Sequence, residues 1–536
     1  MRRKGPSEVQ FWFIALIVGI VGGAIAVGFR MAVAAMQTAF YGADDVHGLH
    51  SLAGDLPWYM VLLIPIIGGI VVGIILNRYT GDGRVRSVAD VIEGAALYHG
   101  RVERKAGIAS GVASMITLST GGSTGREGPV VHLAALAATW VSNRINASGI
   151  TGRDLLGCAV AAAVSASFNT PIAGAIFALE VVLRHFAVHA FAPIVIAAVA
   201  GTVVSRLWFG DVTEFVLPQI NALGFYVELP AFLLLGLLCG VVAVTFMKSI
   251  FLADRIGTHL QGRLRIPGWL RPAVSGAMLG AIAIVFPHII GVGYETTLAA
   301  LTGNLALGTA LIFVVVKAIA VSITMAGRMG GGVFSPALMV GALTGLAFGI
   351  IATGLLPDVS GSETLYALAG MGAVAAAVLG APISTTLIVF ELTGDWQTGL
   401  AVMVAVSMST AVASRLVDRS FFLTQLEHRN VHLAAGPQAY LLALYGVGHV
   451  MRPMDATNSA SEEQCWGMVE AGVYANDNAT LETAMPLFET SGVDFIPVVR
   501  LKGEGEPPEL LGALFHVDAL KAVNKALAET AAEEHS

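Results

Sequence analysis

Residues 125–129, Gly125-Arg126-Glu127-Gly128-Pro129, place a charged pair inside a glycine-rich break. A membrane-like apolar run follows, Val130-Val131-His132-Leu133-Ala134-Ala135-Leu136-Ala137-Ala138. A bare carboxylate is costly at membrane depth, and where one persists it marks an ion or proton path. Pro129 suits the first turn of a helix, where no backbone N–H partner is lost. Glu127 is therefore expected beside a helix N-terminus whose amides are free, and such amides bind anions. A second break, Gly330-Gly331-Gly332-Val333-Phe334-Ser335-Pro336, opens another apolar helix without an acid. A helix N-terminus carries roughly +0.5 charge. Two such ends converging would hold a small anion, favourably yet weakly enough for release. The competing reading is a pair of glycine-proline kinks in ordinary spans.

The elements that must position these groups are membrane helices. The chain has 536 residues, 55% hydrophobic and 12% charged, with mean hydropathy +0.75; soluble domains carry roughly 25% charged residues. Runs such as Phe11–Val27, Trp58–Leu76, Ala231–Val244, Leu305–Ile323 and Ala401–Ala413 are apolar enough for spanning or deeply buried helices. Phe11–Val27 reads as a retained first helix, with no small-residue cleavage site after it. Many of the 62 glycines gather at helix breaks; others suit close helix packing. Arg2, Arg3 and Lys4 flank the first span, and Arg101, Arg104 and Lys105 sit in another short break. The positive-inside bias places both in the cytoplasm. Cys158, Cys239 and Cys465 lie far apart without metal-ligand spacing, so neither a disulfide nor a metal site is expected.

The apolar part repeats itself. Ala159-Val160-Ala161-Ala162-Ala163-Val164 recurs as Ala373-Val374-Ala375-Ala376-Ala377-Val378. Each copy runs on to a Pro-Ile pair, Pro171-Ile172 and Pro382-Ile383, and each proline is followed nine residues later by a glutamate, Glu180 and Glu391. Upstream, Gly125-x-x-x-Pro129 pairs with Gly332-x-x-x-Pro336. Three ordered matches at a nearly constant offset imply two halves with interrupted helices, a transporter-type pattern. Backbone broken at membrane depth must line a cavity or be buried in protein.

Gly125-Arg126-Glu127-Gly128-Pro129 matches the G[KR]EGP signature of the CLC chloride channels and chloride/proton exchangers, and Gly332-Val333-Phe334-Ser335-Pro336 matches their G-[IV]-F-x-P signature. The chain resembles that family over roughly residues 10–430. The resemblance implies a homodimer with one pore per subunit in the lipid bilayer, each built of two inverted halves of tilted, unequal helices. It makes chloride the transported ligand and Glu127 the gating glutamate, whose carboxylate fills an anion site and swings away when protonated. Gly125, Arg126 and Gly128 accompany it, and Gly332, Val333 and Phe334 fall where backbone amides and an aromatic ring line the central site.

Three positions depart from the family pattern. Arg86-Ser87-Val88-Ala89-Asp90 stands for G-S-G-I-P, keeping only the Ser87 hydroxyl; Asp90 could serve as an early-turn partner and Arg86 as an anion attractor, or both as a solvated vestibule edge. Phe422 falls at the family's central tyrosine and lacks its hydroxyl. Val181 falls where exchangers often carry a proton-relay glutamate, which makes the site channel-like while leaving water free to deliver protons to Glu127. Glu180 reads as a structural cap or pairing group.

Residues 437–536 hold 5 Lys and Arg against 15 Asp and Glu, net −10, while 1–436 hold 25 against 22, net +3. The expected division is a membrane domain, 1–436, and a soluble cytoplasmic tail, 437–536. Within the tail, Ala479–Phe488 reads as a capped helix, and Asp494–Val499 and Leu510–Leu514 as strands. This order, with Val450-Met451-Arg452-Pro453 before it, resembles a single CBS domain. Phe515 falls near that family's ribose-contacting Thr or Ser, although Asp518 is kept. Adenine-nucleotide binding is thus in doubt, and a dimerising or gating accessory is favoured. The whole is an all-α polytopic membrane protein with a small α/β tail, expected in a bacterial inner membrane with both termini cytoplasmic. No cofactor and no nucleic acid are expected. Enzyme chemistry is disfavoured because no nucleophile–base or metal constellation appears. A cation-coupled carrier would need acidic or carbonyl-rich breaks instead. Passive chloride flux is the leading function, and chloride/proton antiport the alternative.

Overall fold

The computed structural model describes residues 8–42, 48–147, 149–186, 188–210, 225–357, 360–429, 445–456, 458–477, 479–500 and 508–534, with Val431, Leu433 and Leu442 between. The first half comprises α1 (Glu8–Tyr41), α2 (Leu49–Asp55), α3 (Trp58–Tyr79), α4 (Val88–Leu97), α5 (Arg104–Ser119), α6 (Glu127–Arg144), α7 (Gly149–Phe168), α8 (Pro171–Phe177) and α9 (Val188–Phe209). The second comprises α10 (Phe225–Leu264), α11 (Arg271–Val285), α12 (Tyr294–Leu301), α13 (Leu307–Ala326), α14 (Phe334–Leu355), α15 (Glu363–Leu379), α16 (Pro382–Thr393), α17 (Trp396–Leu416) and α18 (Phe421–Glu427). Among the described residues, eight helices are long and apolar enough to cross a membrane. The apolar runs read from the sequence lie in α1, α3, α10, α13 and α17.

The internal repeat corresponds to matching helices. Pro129 and Pro336 each occupy the third position of their helices, α6 and α14. The twin alanine-rich hexapeptides are buried throughout in α7 and α15. Small side chains let neighbouring backbones approach closely there. The two halves meet antiparallel at the breaks. Gly125 N donates to Gly332 O at 2.7 Å, Gly332 N returns the bond to Gly125 O at 2.8 Å, and the Thr124 hydroxyl adds a bond to Gly332 O. Gly330 and Gly331 have φ of +105° and +111°, a region glycine tolerates. A Cβ on Gly331 would lie 2.0 Å from Thr124 Oγ1.

A second junction is reciprocal. Glu180, in a π-helical turn (Ala178–Leu183) that continues α8, accepts from Ile383 N and Ser384 N at the start of α16, at 2.9 and 2.8 Å. Glu391, near the end of α16, accepts from Ile172 N and Ala173 N at the start of α8, at 3.0 and 2.7 Å. Each carboxylate satisfies the orphan amides of the other half's helix and meets its positive end. Glu180 is thus a cap, as its sequence setting suggested.

The described tail holds α19 (Val447–Val450), α20 (Glu462–Glu470), α21 (Leu481–Ser491) and α22 (His516–Glu534) with β1 (Arg452–Pro453), β2 (Ala475–Asn476), β3 (Phe495–Arg500) and β4 (Glu509–Phe515). The sheet order is β1-β4-β3-β2, with β3 and β4 antiparallel and β2 parallel to β3. Val447, Leu481, Phe488, Ile496, Val498 and Leu514 form its separate core. The expected helix and two strands occur within two or three residues of their anticipated bounds.

Candidate anion pathway

Glu127 opens α6 and is 2% exposed. Its Oε1 accepts a hydrogen bond from the hydroxyl of Ser335, the second residue of α14. The two helix starts therefore face one another, and the acid of one is held by the hydroxyl of the other. Both N-termini are buried, so their first-turn amides have no bulk water as an alternative partner.

A narrow central cavity of about 10 Å³ lies here, room for roughly one water-sized particle. Of the residues anticipated as a site, it brings together Ser87, Glu127, Gly128, Gly332, Val333, Phe334 and Phe422. Phe334 packs against Phe168 and Phe177, with ring centroids 4.8 and 5.7 Å away, so the three rings form one aromatic cluster. Phe422 stands edge-on to Phe421. Gly125 is not in the cavity wall; it forms the inter-half bridge behind it.

Arg126 is placed differently. Its Nη2 donates to Ser167 O at 3.0 Å, and its guanidinium lies 5.2 Å from the Tyr294 ring centre. It lines a separate cavity of about 30 Å³, with Arg30, His50, His288 and Glu295. Arg126 and Glu127, adjacent in the chain, thus serve different compartments.

A third cavity, about 90 Å³, adjoins the centre on the side where α18 leads to the tail. Arg84, Arg328, His428 and Arg429 line it, with Asp254. Asp90 accepts from Ser87 N at 2.8 Å, and its other oxygen pairs with Arg429 at 2.8 Å. The early-turn role expected of Asp90 is present, and the same side chain anchors a vestibule arginine. Arg86 lines neither this cavity nor the central one. It is engaged by Asp82 at 2.9 Å, Asp90 at 3.6 Å and Glu103 at 3.9 Å. Burial alone would raise the Asp82 carboxyl, but hydrogen bonds from Arg86 and from Arg84 N hold it below the usual carboxylate range. Arg86 is thus held among carboxylates and lines neither cavity.

Val181 borders a recess of about 360 Å³, with Glu180, Arg184, Asp418, Arg419 and Ser420. Sequence reasoning missed Ser335 as the partner of Glu127, although it lies inside the second motif. It also missed the arginines around the tail-side cavity, which come from three distant segments and share no local signature.

A polytopic helical protein whose halves meet antiparallel at two broken, buried helix starts, with small cavities on either side, is a membrane transport protein by construction. Residues 68–414 match the voltage gated chloride channel family, and the chain belongs to that CLC family. A ClcB-like protein of Ralstonia nicotianae is 30% identical over 73% of this chain and 91% of its own length. The voltage-gated ClC-type chloride channel ClcB of Escherichia coli is 27% identical over 76% of this chain and 97% of its own. The fold is that of a slow cyanobacterial Cl−/H+ antiporter (TM-score 0.69, 21% identity, 80% of this chain and 99% of the other). It is also that of a eukaryotic CLC transporter (TM-score 0.66, 16% identity, 95% and 98%).

Proposed function

We propose that this protein passes chloride through a pathway gated by Glu127, in the manner of a channel. The observation that carries this reading is the buried Glu127 carboxylate standing in the central cavity between two facing helix N-termini. Those ends favour any small anion, and the carboxylate competes for the same place. Protonation removes its charge and its claim on the amides, so the cavity becomes available to chloride. Arginines lining the cavities on both sides raise the local anion concentration. The names of the ClcB relatives agree with chloride as cargo. Val181 favours passive flux, because valine carries no proton. Chloride/proton antiport is the second reading, and the recess bordering Val181 supports it by bringing space for water close to that position.

The functional unit is a homodimer with one pore per subunit, in a bacterial inner membrane with both termini cytoplasmic. Residues 437–536 form an accessory domain that does not depend on adenine nucleotide. Arg452 supports this, because it pairs with Asp518 at 2.6 Å and lies over the Phe515 ring, so the Asp518 carboxylate is already engaged. Chloride efflux from proteoliposomes across a pH series tests the gate. Glu127→Gln is expected to keep flux and lose most of its pH dependence. A wild-type pH profile in the mutant would show that Glu127 is not the gate.

A further inference from the structure

Between the central cavity and the tail-side cavity, five residues line both: Ser87, Met325, Gly331, Phe421 and Gln425. They form the constriction an anion must cross to pass from one to the other. Only Ser87 and Gln425 there have side chains that can donate a hydrogen bond. Phe421, Phe422 and Met325 are apolar, and a chloride squeezed among them would lose hydration without replacement. Gln425 lies three residues after Phe422 and four after Phe421 on α18, so the three share one helix face. Its Oε1 is buried and accepts no hydrogen bond among the described residues. The amide end is therefore not committed to the scaffold at that atom. A half-turn about its last torsion exchanges oxygen for NH2, and which end faces the pathway is set by what occupies it.

We infer that Gln425 is a selectivity residue of the pathway: its amide NH2, at the same constriction as the Ser87 hydroxyl, replaces water on the anion as it crosses. This rests on the transport reading and adds the donor that Phe422 lacks. An amide suits this place better than a cation, since a neutral donor binds without trapping. A donor that acts on the anion favours strongly hydrated chloride over weakly hydrated nitrate or thiocyanate. An apolar ring of the same size would favour the reverse.

The test is a pair of variants in the full chain, reconstituted in proteoliposomes, with chloride, nitrate and thiocyanate fluxes compared. Gln425→Met keeps length and removes the donor. It is expected to lower chloride flux roughly tenfold, the worth of one hydrogen bond to a charged group, and to shift the thiocyanate-to-chloride ratio upward by a similar factor. Gln425→Glu keeps shape and polarity and covers the case in which Gln425→Met does not fold. It is expected to suppress chloride flux as pH rises through the carboxylate range, in a background carrying Glu127→Gln so that only one acid titrates. Unchanged anion ratios in Gln425→Met, or a pH-independent flux in the Gln425→Glu background, would overturn the inference while leaving transport intact. A wild-type protein that moves no anion at all would overturn the transport reading and this inference with it.

Discussion

At the scale of single residues, the pathway depends on positions whose backbone permits no alternative. Gly331 combines a φ of +111° with Thr124 Oγ1 at 2.0 Å from where a Cβ would stand. Gly331→Ala therefore adds backbone strain and a collision at the bridge between the halves. A loss of about 3 kcal/mol is expected, summing typical strain and overpacking costs. Gly308, near the start of α13, has open space around it. Gly308→Ala is expected to be neutral or to stabilise by up to ~1 kcal/mol. Thermal unfolding of both variants in detergent checks the contrast, and equal losses would count against a special role for Gly331. Both motifs were legible in the sequence because glycine, proline and acid leave a local signature. Glu127, Gly128, Gly332, Val333 and Phe334 were found together in the cavity wall, as was Ser87 from an altered segment. Arg126 was legible as a residue but not as an orientation: nothing in its neighbours says that Ser167 O and the Tyr294 ring will hold it in another compartment. Gln425 carries no local signature, and only the packing of α18 against α4 and α15 gives it a place.

At the scale of elements, each half supplies caps for the other. The pattern of a proline followed nine residues later by a glutamate reads as a repeat, but its meaning needs the two helices side by side. Glu180 and Glu391 each bind two amides of the opposite half. The π-helical turn after α8 carries Glu180 to α16. Because Val181 is the next residue, Glu180 could be mistaken for a proton carrier. Its oxygens are instead committed to Ile383 N, Ser384 N and the Ser384 hydroxyl. Glu180→Gln turns one acceptor into a donor aimed at an amide. A cost of roughly 1.5–3 kcal/mol is expected, visible as a lower unfolding temperature. The ratio of proton to chloride flux is expected to stay at its wild-type value. A changed ratio at unchanged stability would make Glu180 a transport group and not a cap. Helix bounds were the less legible part: α10 runs from Phe225 to Leu264, well past the apolar run visible in it. Its last turns are polar, and they are held by Arg271, which binds Asp254 at 2.8 Å and also Thr258 and Gln261.

At the scale of the whole molecule, the question is whether one cycle forces protons and anions to move together. Charge divides the sequence into a near-neutral part and an acidic tail, and the described residues of the tail have a hydrophobic cluster of their own. Coupling is not separable in that way, because it depends on how water reaches Glu127. Val181 lines a recess together with Glu180, Arg184, Asp418 and Arg419. On the side of the central cavity, the lining includes Val164, Phe177 and Phe422, all buried apolar side chains. Protons crossing there need a chain of waters, and an apolar wall holds such a chain poorly because each water wants two to four polar partners. The anion route proposed above leaves the central cavity past Ser87 and Gln425 toward the tail-side cavity. Chloride is therefore expected to move far more readily than protons, and a chloride gradient to drive little uphill proton movement. Val181→Glu would place a proton carrier at the wall and is expected to raise proton flux without blocking chloride. The measurement is the reversal potential in a planar bilayer under opposed chloride and pH gradients. Wild-type protein should reverse close to the chloride equilibrium potential, and Val181→Glu should move toward a pH-dependent value. A stable, pH-dependent displacement in the wild type would establish antiport and would require water to reach Glu127 past apolar side chains during the cycle.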